Sequence, residues 1–390
     1  MRLAIISHKI CRTAENSPTG YATDGGFPLQ VQAISELFDK TSLLVPCQKT
    51  KSAEGLSAIG GNELRVVPLT VPGGSGIKRK LNMLGWIFAN SPSVWREIRK
   101  ADAVHVPIPG DVGTVGVAFA LVQRKPLFVR HCGNWLVQRT FSEKIWRRAM
   151  EYFAGGKNVM LATGGSEEMP SRRNPNLKWI FATSLRKNEI EKNQPKRFPE
   201  NGELKLIIVC RQEKRKGTEI VIESLPLILR QFPEASLDIV GGGSLLETFK
   251  KQALELNLEN RVKFHGKVPQ ARVVELLKQA HLFCYPTSAS EGFPKVVLEA
   301  LASGLPVITT NVSVLPQLLS SGCGLILDGA SAAHLSMAVA EICSDEKRYN
   351  LMSAAAIETA RQYSLENWRD FIGDVLREQW NVASLSTISR

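Results

Sequence analysis

The sequence predicts an α/β protein made of two Rossmann-like domains with mostly parallel sheets. Three observations carry that expectation. Short apolar, β-branched strands alternate with helical stretches along most of the chain, which is the pattern of repeated βα units. The alternation halts once, in the polar, proline- and glycine-containing stretch 193–202, and then restarts. Several strands run straight into glycine-bearing loops that open helices, the place where such sheets bind ligands. At 390 residues the chain has room for two or three independent cores.

Composition narrows the class. Hydrophobic residues at 44% and charged residues at 22% are ordinary globular values. The seven cysteines (Cys11, Cys47, Cys132, Cys210, Cys284, Cys323 and Cys343) are scattered and contain no C-x-x-C pair. That spacing argues against a disulfide framework and a zinc site and suits a reducing compartment. The opening MRLAIISHKI enters a strand at once, and the most apolar run, Val112–Val122, is too short to cross a bilayer. A cytoplasmic protein is expected. The formal charge of +12 is unevenly spread: residues 1–200 hold 29 Lys and Arg against 16 Asp and Glu, residues 201–390 hold 20 against 21. The first half is therefore expected to face something anionic, a membrane's inner face or an acidic acceptor. Nucleic acid is disfavoured, since no recognised binding motif accompanies the charge.

In chain order, Leu3–Ser7 reads as a strand and Val31–Leu37 as the helix behind it. A long polar loop between them ends in Asp24-Gly25-Gly26-Phe27-Pro28. Paired glycines opening a helix allow a ligand close to the backbone, so Gly26 is a candidate contact. Further strands are expected at Thr41–Pro46, Leu64–Pro68, Ala103–Pro107, Leu127–His131 and Val159–Thr163. His105 and His131 fall in or at the end of two of these, where an α/β cleft opens. Two segments hold much of the basic excess: Lys78-Arg79-Lys80 leading toward Trp95–Lys100, and 139–153. In the second, Trp146, Met150 and Phe153 share a helical stripe with Lys144, Arg147 and Arg148 away from it, as in an interfacial helix on anionic lipid. A core-facing amphipathic helix gives the same pattern.

The boundaries read as an N-terminal domain 1–192, a linker 193–202 and a C-terminal domain 203–363, with a terminal amphipathic helix at about 364–390. In the second domain the strand Leu204–Cys210 is followed by Arg211-Gln212-Glu213-Lys214-Arg215-Lys216-Gly217 and a helix, Thr218–Leu229. Cations and a glycine at the carboxyl end of a parallel strand make a natural diphosphate clamp. Lys214 and Arg215 have no assigned role and read as solvated charges. Gly241–Gly243 ends another strand, without the spacing of a dinucleotide fingerprint. Arg261–Lys267 is a strand ending near Gly266, and His281–Tyr285 feeds the stretch 290–310.

That stretch, SEGFPKVVLEALASGLPVITT, reads as loop, helix, turn and strand. A helix opened through Glu291-Gly292-Phe293-Pro294 offers free N–H groups and partial positive charge to an anion. Glu291 and Glu299, eight positions apart, are placed to hold different parts of one ligand. The motif EGFP…LEALASGLPVI, together with Arg211 and Lys216, resembles the donor-site signature of retaining GT-B glycosyltransferases, family 4 or group 1.

The resemblance implies the GT-B fold: two facing Rossmann-like domains and a C-terminal helix crossing back to the first. It implies transfer of a hexosyl-type sugar from a nucleoside diphosphate to an acceptor hydroxyl, with retention, in cell-surface polysaccharide or glycolipid synthesis. Arg211 and Lys216 then bind the pyrophosphate, Glu291 and Glu299 accept hydrogen bonds from sugar and ribose, and Gly292 and Phe293 supply the helix end. The backbone after Gly266, here Lys267 and Val268, meets the nucleobase, His131 reaches the donor sugar, and His105 lies on the acceptor side. No cofactor is implied beyond the donor substrate; no Asp-x-Asp metal pair accompanies the motif. The acceptor class stays open between a glycan, a lipid-linked group and a small molecule. Two rival readings remain: a nucleotide-sugar epimerase on the same architecture, and an inactive membrane- or polysaccharide-associated binding protein.

Overall fold

The computed structural model describes residues 1–50, 55–74, 76–138, 140–166, 168–199 and 203–387. Side chains are described throughout these except at 76, 77, 80 and 81. The chain divides into two compact units, Met1–Ser184 with Leu365–Arg390, and Leu185–Ser364.

The first unit is built on strands β1 Arg2–Ile6, β2 Cys11–Thr13, β3 Tyr21–Thr23, β4 Lys40–Gln48, β5 Ser57–Ala58, β6 Leu64–Leu69, β7 Ala103–Ile108, β8 Leu127–His131, β9 Asn158–Thr163 and β10 Leu177–Ile180. Its helices are α1 Phe27–Ser35, α2 Gly76–Lys100, α3 Asp111–Val122 and α4 Phe141–Phe153. Among the described residues the sheet order is β10-β9-β8-β7-β1-β4-β2-β3-β5, with β6 also paired to β4. From β10 to β4 every pairing is parallel. All five residues of β8 are buried, as expected of a central parallel strand covered on both faces. The stretch 8–26, expected to be loop, instead contributes β2 and β3, which pair antiparallel. Hydroxyls hold that hairpin: Thr23 Oγ1 donates to Ile10 O at 2.8 Å, and Ser17 Oγ to Ile59 O at 3.0 Å. Three-residue polar strands carry too little alternation to show in a sequence pattern.

The C-terminal helix Leu365–Trp380 returns to this unit, as expected. Trp368, Ile372 and Leu376 join Ile5, Phe38 and Phe128 in one core. Trp380 Nε1 donates to Lys157 O at 3.0 Å, closing the far end.

The second unit contains α5 Lys187–Glu191, β11 Lys205–Val209, α6 Thr218–Leu229, β12 Ser236–Val240, α7 Leu246–Glu255, β13 Val262–Gly266, α8 Gln270–Gln279, β14 Leu282–Tyr285, α9 Lys295–Ala302, β15 Val307–Thr310, α10 Leu315–Leu319, β16 Gly324–Leu327, α11 Ala332–Ile342 and α12 Glu346–Gln362. Its sheet is parallel throughout the described residues, in the order β13-β12-β11-β14-β15-β16. One apolar cluster covers each face.

The units change over at 184–185, not at 192–193, so the expected linker is corrected. Ile190 is fully buried in the second unit's core. Asn193 Nδ2 donates to Ala302 O at 2.8 Å, and Lys196 Nζ to Leu277 O at 3.1 Å. Burial lowers the Lys196 pKa to about 8. The polar composition of 193–199 therefore reflects a hydrogen-bonded strap lying on the unit; residues 200–202 lie outside the described residues.

Candidate active site

Three loops of the second unit converge at the carboxyl ends of β11, β12 and β14. The loop after β11 needs two left-handed residues to turn into α6: Arg215 at φ 70° and Gly217 at φ 88°. A Cβ on Gly217 would sit 2.4 Å from the Pro286 carbonyl oxygen, so only glycine lets these two loops meet. The Arg215 carbonyl accepts from Ser288 N at 2.9 Å and from Thr287 Oγ1 at 2.9 Å. Its guanidinium donates to Ser288 O at 2.6 Å. Arg215 is exposed, as expected of a solvated charge, and it is also a tether between loops.

Gln212, fully buried, ties in the third loop. Its amide donates to Cys210 O at 3.0 Å and Val240 O at 3.2 Å, and its oxygen accepts from Thr218 Oγ1 at 2.8 Å. Gly241 and Gly243 lie against the same loop; added Cβ atoms would reach Cys210 O at 1.9 Å and Gln212 O at 2.3 Å. The glycine run is explained by this close packing. Gly266, at φ 63°, accepts from Gly241 N at 2.8 Å, and Val268 packs half-buried beside the core.

Held between these loops, Lys216 Nζ donates to Glu291 Oε1. The Lys216 side chain is 12% exposed and that of Glu291 27%. Tyr285, the last residue of β14, donates its hydroxyl to the same Oε1 at 2.7 Å. Burial, and then the Glu291 charge, push the Tyr285 hydroxyl far up, so it stays a proton donor. Both bonds use one oxygen, leaving Glu291 Oε2 without a partner among the described residues. Ser313 Oγ donates to the Glu291 carbonyl at 2.6 Å and fixes the backbone. Helix α9 begins just after, capped by Pro294 with no side-chain cap bond. Gly292 and Phe293 precede it half-buried, with Phe293 tilted against Tyr363 at 5.7 Å.

Glu299 lies further along α9. Burial raises its carboxyl pKa, while Gln270 and Lys295 pull the other way. Arg211 does not join the Lys216–Glu291 pair. It is 74% exposed and pairs with Glu213 at 3.3 Å, although its charge is felt at the Tyr285 hydroxyl.

Sequence reasoning missed Tyr285, Ser313 and the structural role of Gln212. A tyrosine at the carboxyl end of a parallel strand was a usable signal; Ser313, 22 residues from its partner, left none. Among the described residues no group of three His, Cys, Asp or Glu side chains gathers as a metal would require.

In the first unit, Gly26 caps the N-terminus of α1. His131 is buried at the end of β8; Gly133 N donates to its Nδ1 at 3.3 Å. The proton then belongs on Nε2, which has no partner among the described residues. Burial lowers the His131 pKa to about 4 and keeps the ring neutral. His105 behaves differently. It sits inside β7, 1% exposed, its Nδ1 bonded to Phe128 O at 3.0 Å and its ring stacked on Phe128 at 4.2 Å. Burial lowers its pKa to about 3. His105 is a core residue, and the acceptor-side expectation for it is corrected.

The lipid-facing stripe is corrected as well. Trp146 and Met150 of α4 are buried in the core with Phe153 against them. Phe141, Ile145 and Tyr152 are the exposed apolar residues of that helix, at 79%, 47% and 82%. Arg139 lies outside the described residues. Among those described, no helix is long and apolar enough to cross a membrane.

Residues 189–359 match the model of the family described as Glycosyl transferases group 1. The chain is 31% identical, over 172 residues, to a GDP-mannose-dependent alpha-(1-6)-phosphatidylinositol monomannoside mannosyltransferase of Mycolicibacterium smegmatis, covering 42% of this chain and 44% of that protein. It is 30% identical over 163 residues to a D-inositol 3-phosphate glycosyltransferase of Corynebacterium glutamicum, covering 40% of this chain and 39% of the relative. The chain thus spans less than half the length of these curated relatives. Two solved structures align over nearly the whole chain. Anabaena HepE in complex with UDP has TM-score 0.69 and 16% identity, over 97% of this chain and 100% of that one. Sucrose-phosphate synthase from Thermosynechococcus elongatus has TM-score 0.70 and 16% identity, over 98% and 99%. The fold is GT-B, and within it the second unit carries the segment that matches the glycosyl transferases group 1 family.

Proposed function

We propose that the protein transfers a hexosyl-type sugar from a nucleoside diphosphate to an acceptor hydroxyl, with retention of anomeric configuration, in the synthesis of a surface glycolipid or polysaccharide. One observation carries the reading: a half-buried Lys216–Glu291–Tyr285 cluster beside the N-terminus of α9, inside the family-matched segment. The bond from the anomeric carbon to the diphosphate oxygen breaks, the bond to the acceptor oxygen forms, and the acceptor proton leaves with the diphosphate. The demand is for positive charge where the leaving group gains negative charge, in a site with little water. Lys216 and the positive end of the α9 dipole meet it from fixed positions, and Arg211, unengaged with the pair, swings in from solvent. These groups stand where a divalent cation otherwise would.

Glu291 Oε2 accepts from sugar hydroxyls, Glu299 from the ribose, and the backbone at Gly266–Val268 meets the base. His131 offers its unpartnered Nε2–H to a ligand oxygen, and Gly26 lends a close backbone approach. The named donors and ligands of similar proteins, GDP-mannose and UDP, support a nucleotide donor and leave guanine and uracil as the first bases to try. The phosphatidylinositol- and inositol-phosphate-directed relatives support a lipid-linked or phosphorylated acceptor and peripheral association with an anionic membrane.

The test is a panel of UDP-, GDP- and ADP-sugars scored by thermal stabilisation of the wild type and of Lys216→Ala. One donor is expected to raise the melting temperature of the wild type and not of the variant. Stabilisation by none of them, or equal stabilisation of both proteins, rejects the reading.

A further inference from the structure

We infer that the first unit holds a binding pocket for a phosphate ester, set between α4 and the loop that follows β9. The inference rests on the transferase reading only in assigning that ester to the acceptor. A cavity of about 680 Å³ opens there, and among the described residues five cations line it against two carboxylates. Lys144, Arg147 and Arg148 come from the helix, Arg172 and Arg173 from the loop.

The carboxylates are already engaged. Glu151, with a side chain only 10% exposed, pairs with Arg147 at 3.5 Å and Arg173 at 3.7 Å and accepts from Ser171 Oγ at 2.9 Å. Glu168 pairs with Arg172 at 3.0 Å. Lys144 and Arg148, one helical turn apart, have no acidic partner among the described residues. A basic helix whose charges simply point to water would spread them around its exposed face. Here they converge on one concavity with its floor pinned by Glu151. An ammonium and a guanidinium a turn apart suit a phosphate: a compact charge beside a planar fork.

Two further features shape the ligand. Leu136 and Met169, 47% and 58% exposed, line the same cavity, so it accommodates an ester whose remainder is partly apolar. Arg147 lies over the Trp135 ring at 5.2 Å, and Trp135 meets His131 edge-on at 5.3 Å. A phosphate held by this cluster is one aromatic ring away from the unpartnered His131 Nε2.

The ester can come from a soluble metabolite or from a lipid headgroup, and two probes separate these sources. Glycerol 3-phosphate is titrated calorimetrically into the full-length protein, with glycerol as the blank. Vesicles of phosphatidylglycerol are tested by sedimentation against vesicles of phosphatidylcholine, at low and high salt. The wild type is expected to bind at least one phosphate probe, and Lys144→Ala/Arg148→Ala to weaken that binding about tenfold or more. Arg272→Ala, on a surface cation of the other unit, is expected to leave it unchanged. The double variant should retain thermal stabilisation by the sugar nucleotide that stabilises the wild type, which reports that it is folded and keeps this measurement separate from the donor site. Binding of neither probe by the wild type, or equal binding by the double variant, overturns the pocket.

Discussion

The two units use the same architecture, a parallel sheet with loops at its carboxyl edge, yet they hold their candidate site residues in different ways. In the second unit the loops after β11, β12 and β14 are locked to one another by Gln212, Arg215 and close glycine contacts, and the candidate residues Lys216 and Glu291 sit on those loops. In the first unit His131 is part of the strand end itself, fixed by burial and by Gly133. A site built on interlocked loops writes its chemistry into short contiguous motifs, because neighbouring residues must turn, cap and bind together. A site built on strand ends spends one residue per strand, and its surroundings look like any core.

The largest test of this contrast is Lys216→Ala. Loss of a charge-assisted contact to the leaving group should lower turnover roughly 30- to 1000-fold, about 2–4 kcal/mol of transition-state stabilisation. Circular dichroism should show the fold intact; near-wild-type turnover would place the chemistry elsewhere. Arg211→Ala should act on binding instead. Because Arg211 is exposed in the free protein, its removal is expected to raise the donor KM by roughly 10-fold, as for one hydrogen bond from a charged group, and to leave the ligand-free melting temperature alone.

Locking of the loops is tested by Gly217→Ala, which forces a side chain to φ 88° and into Pro286 O. Strain of that kind costs about 1–3 kcal/mol, and calorimetry should show the second unit melting several degrees earlier. An unchanged transition would mean that the loops are free to part. The smallest effect belongs to the first unit's histidines. His105 and His131 titrate at about 3 and about 4 when folded, below the ordinary 6.5, so the unfolded chain binds more protons between those values. Stability should therefore fall as pH drops from 6.5 toward 4. His105→Phe should flatten that slope while leaving transfer within about twofold, the outcome for a histidine that only fills a core; loss of transfer would return it to the site.

How far each unit could be read in advance follows the same division. The strand Leu127–His131 and the helices Thr218–Leu229 and Lys295–Ala302 were legible from periodicity, since each buries a regular face. The Lys216 and Glu291 positions were legible because a glycine turn and a helix start frame them. The hairpin in residues 8–26 was not, being held by hydroxyl-to-carbonyl bonds between distant positions. Nor was the unit boundary: the segment 193–199 has the composition of a linker but its bonds run to Ala302, Leu277 and Ser353. The stripe through Trp146 and Met150 had the right period for two opposite environments, and only the packing of β8 and β9 chooses the interior.

The pairing of Lys216 with Glu291 also sets what can enter. A guest bearing only negative charge draws the ammonium away and leaves the half-buried carboxylate with the Tyr285 hydroxyl alone, a neutral donor in place of a charge. A guest that adds hydroxyl groups beside that charge satisfies both members at once. Free pyrophosphate should thus be a poor competitor and the intact sugar nucleotide a good one: the pair screens its visitors by whether they can replace both halves of a bond it has already made with itself.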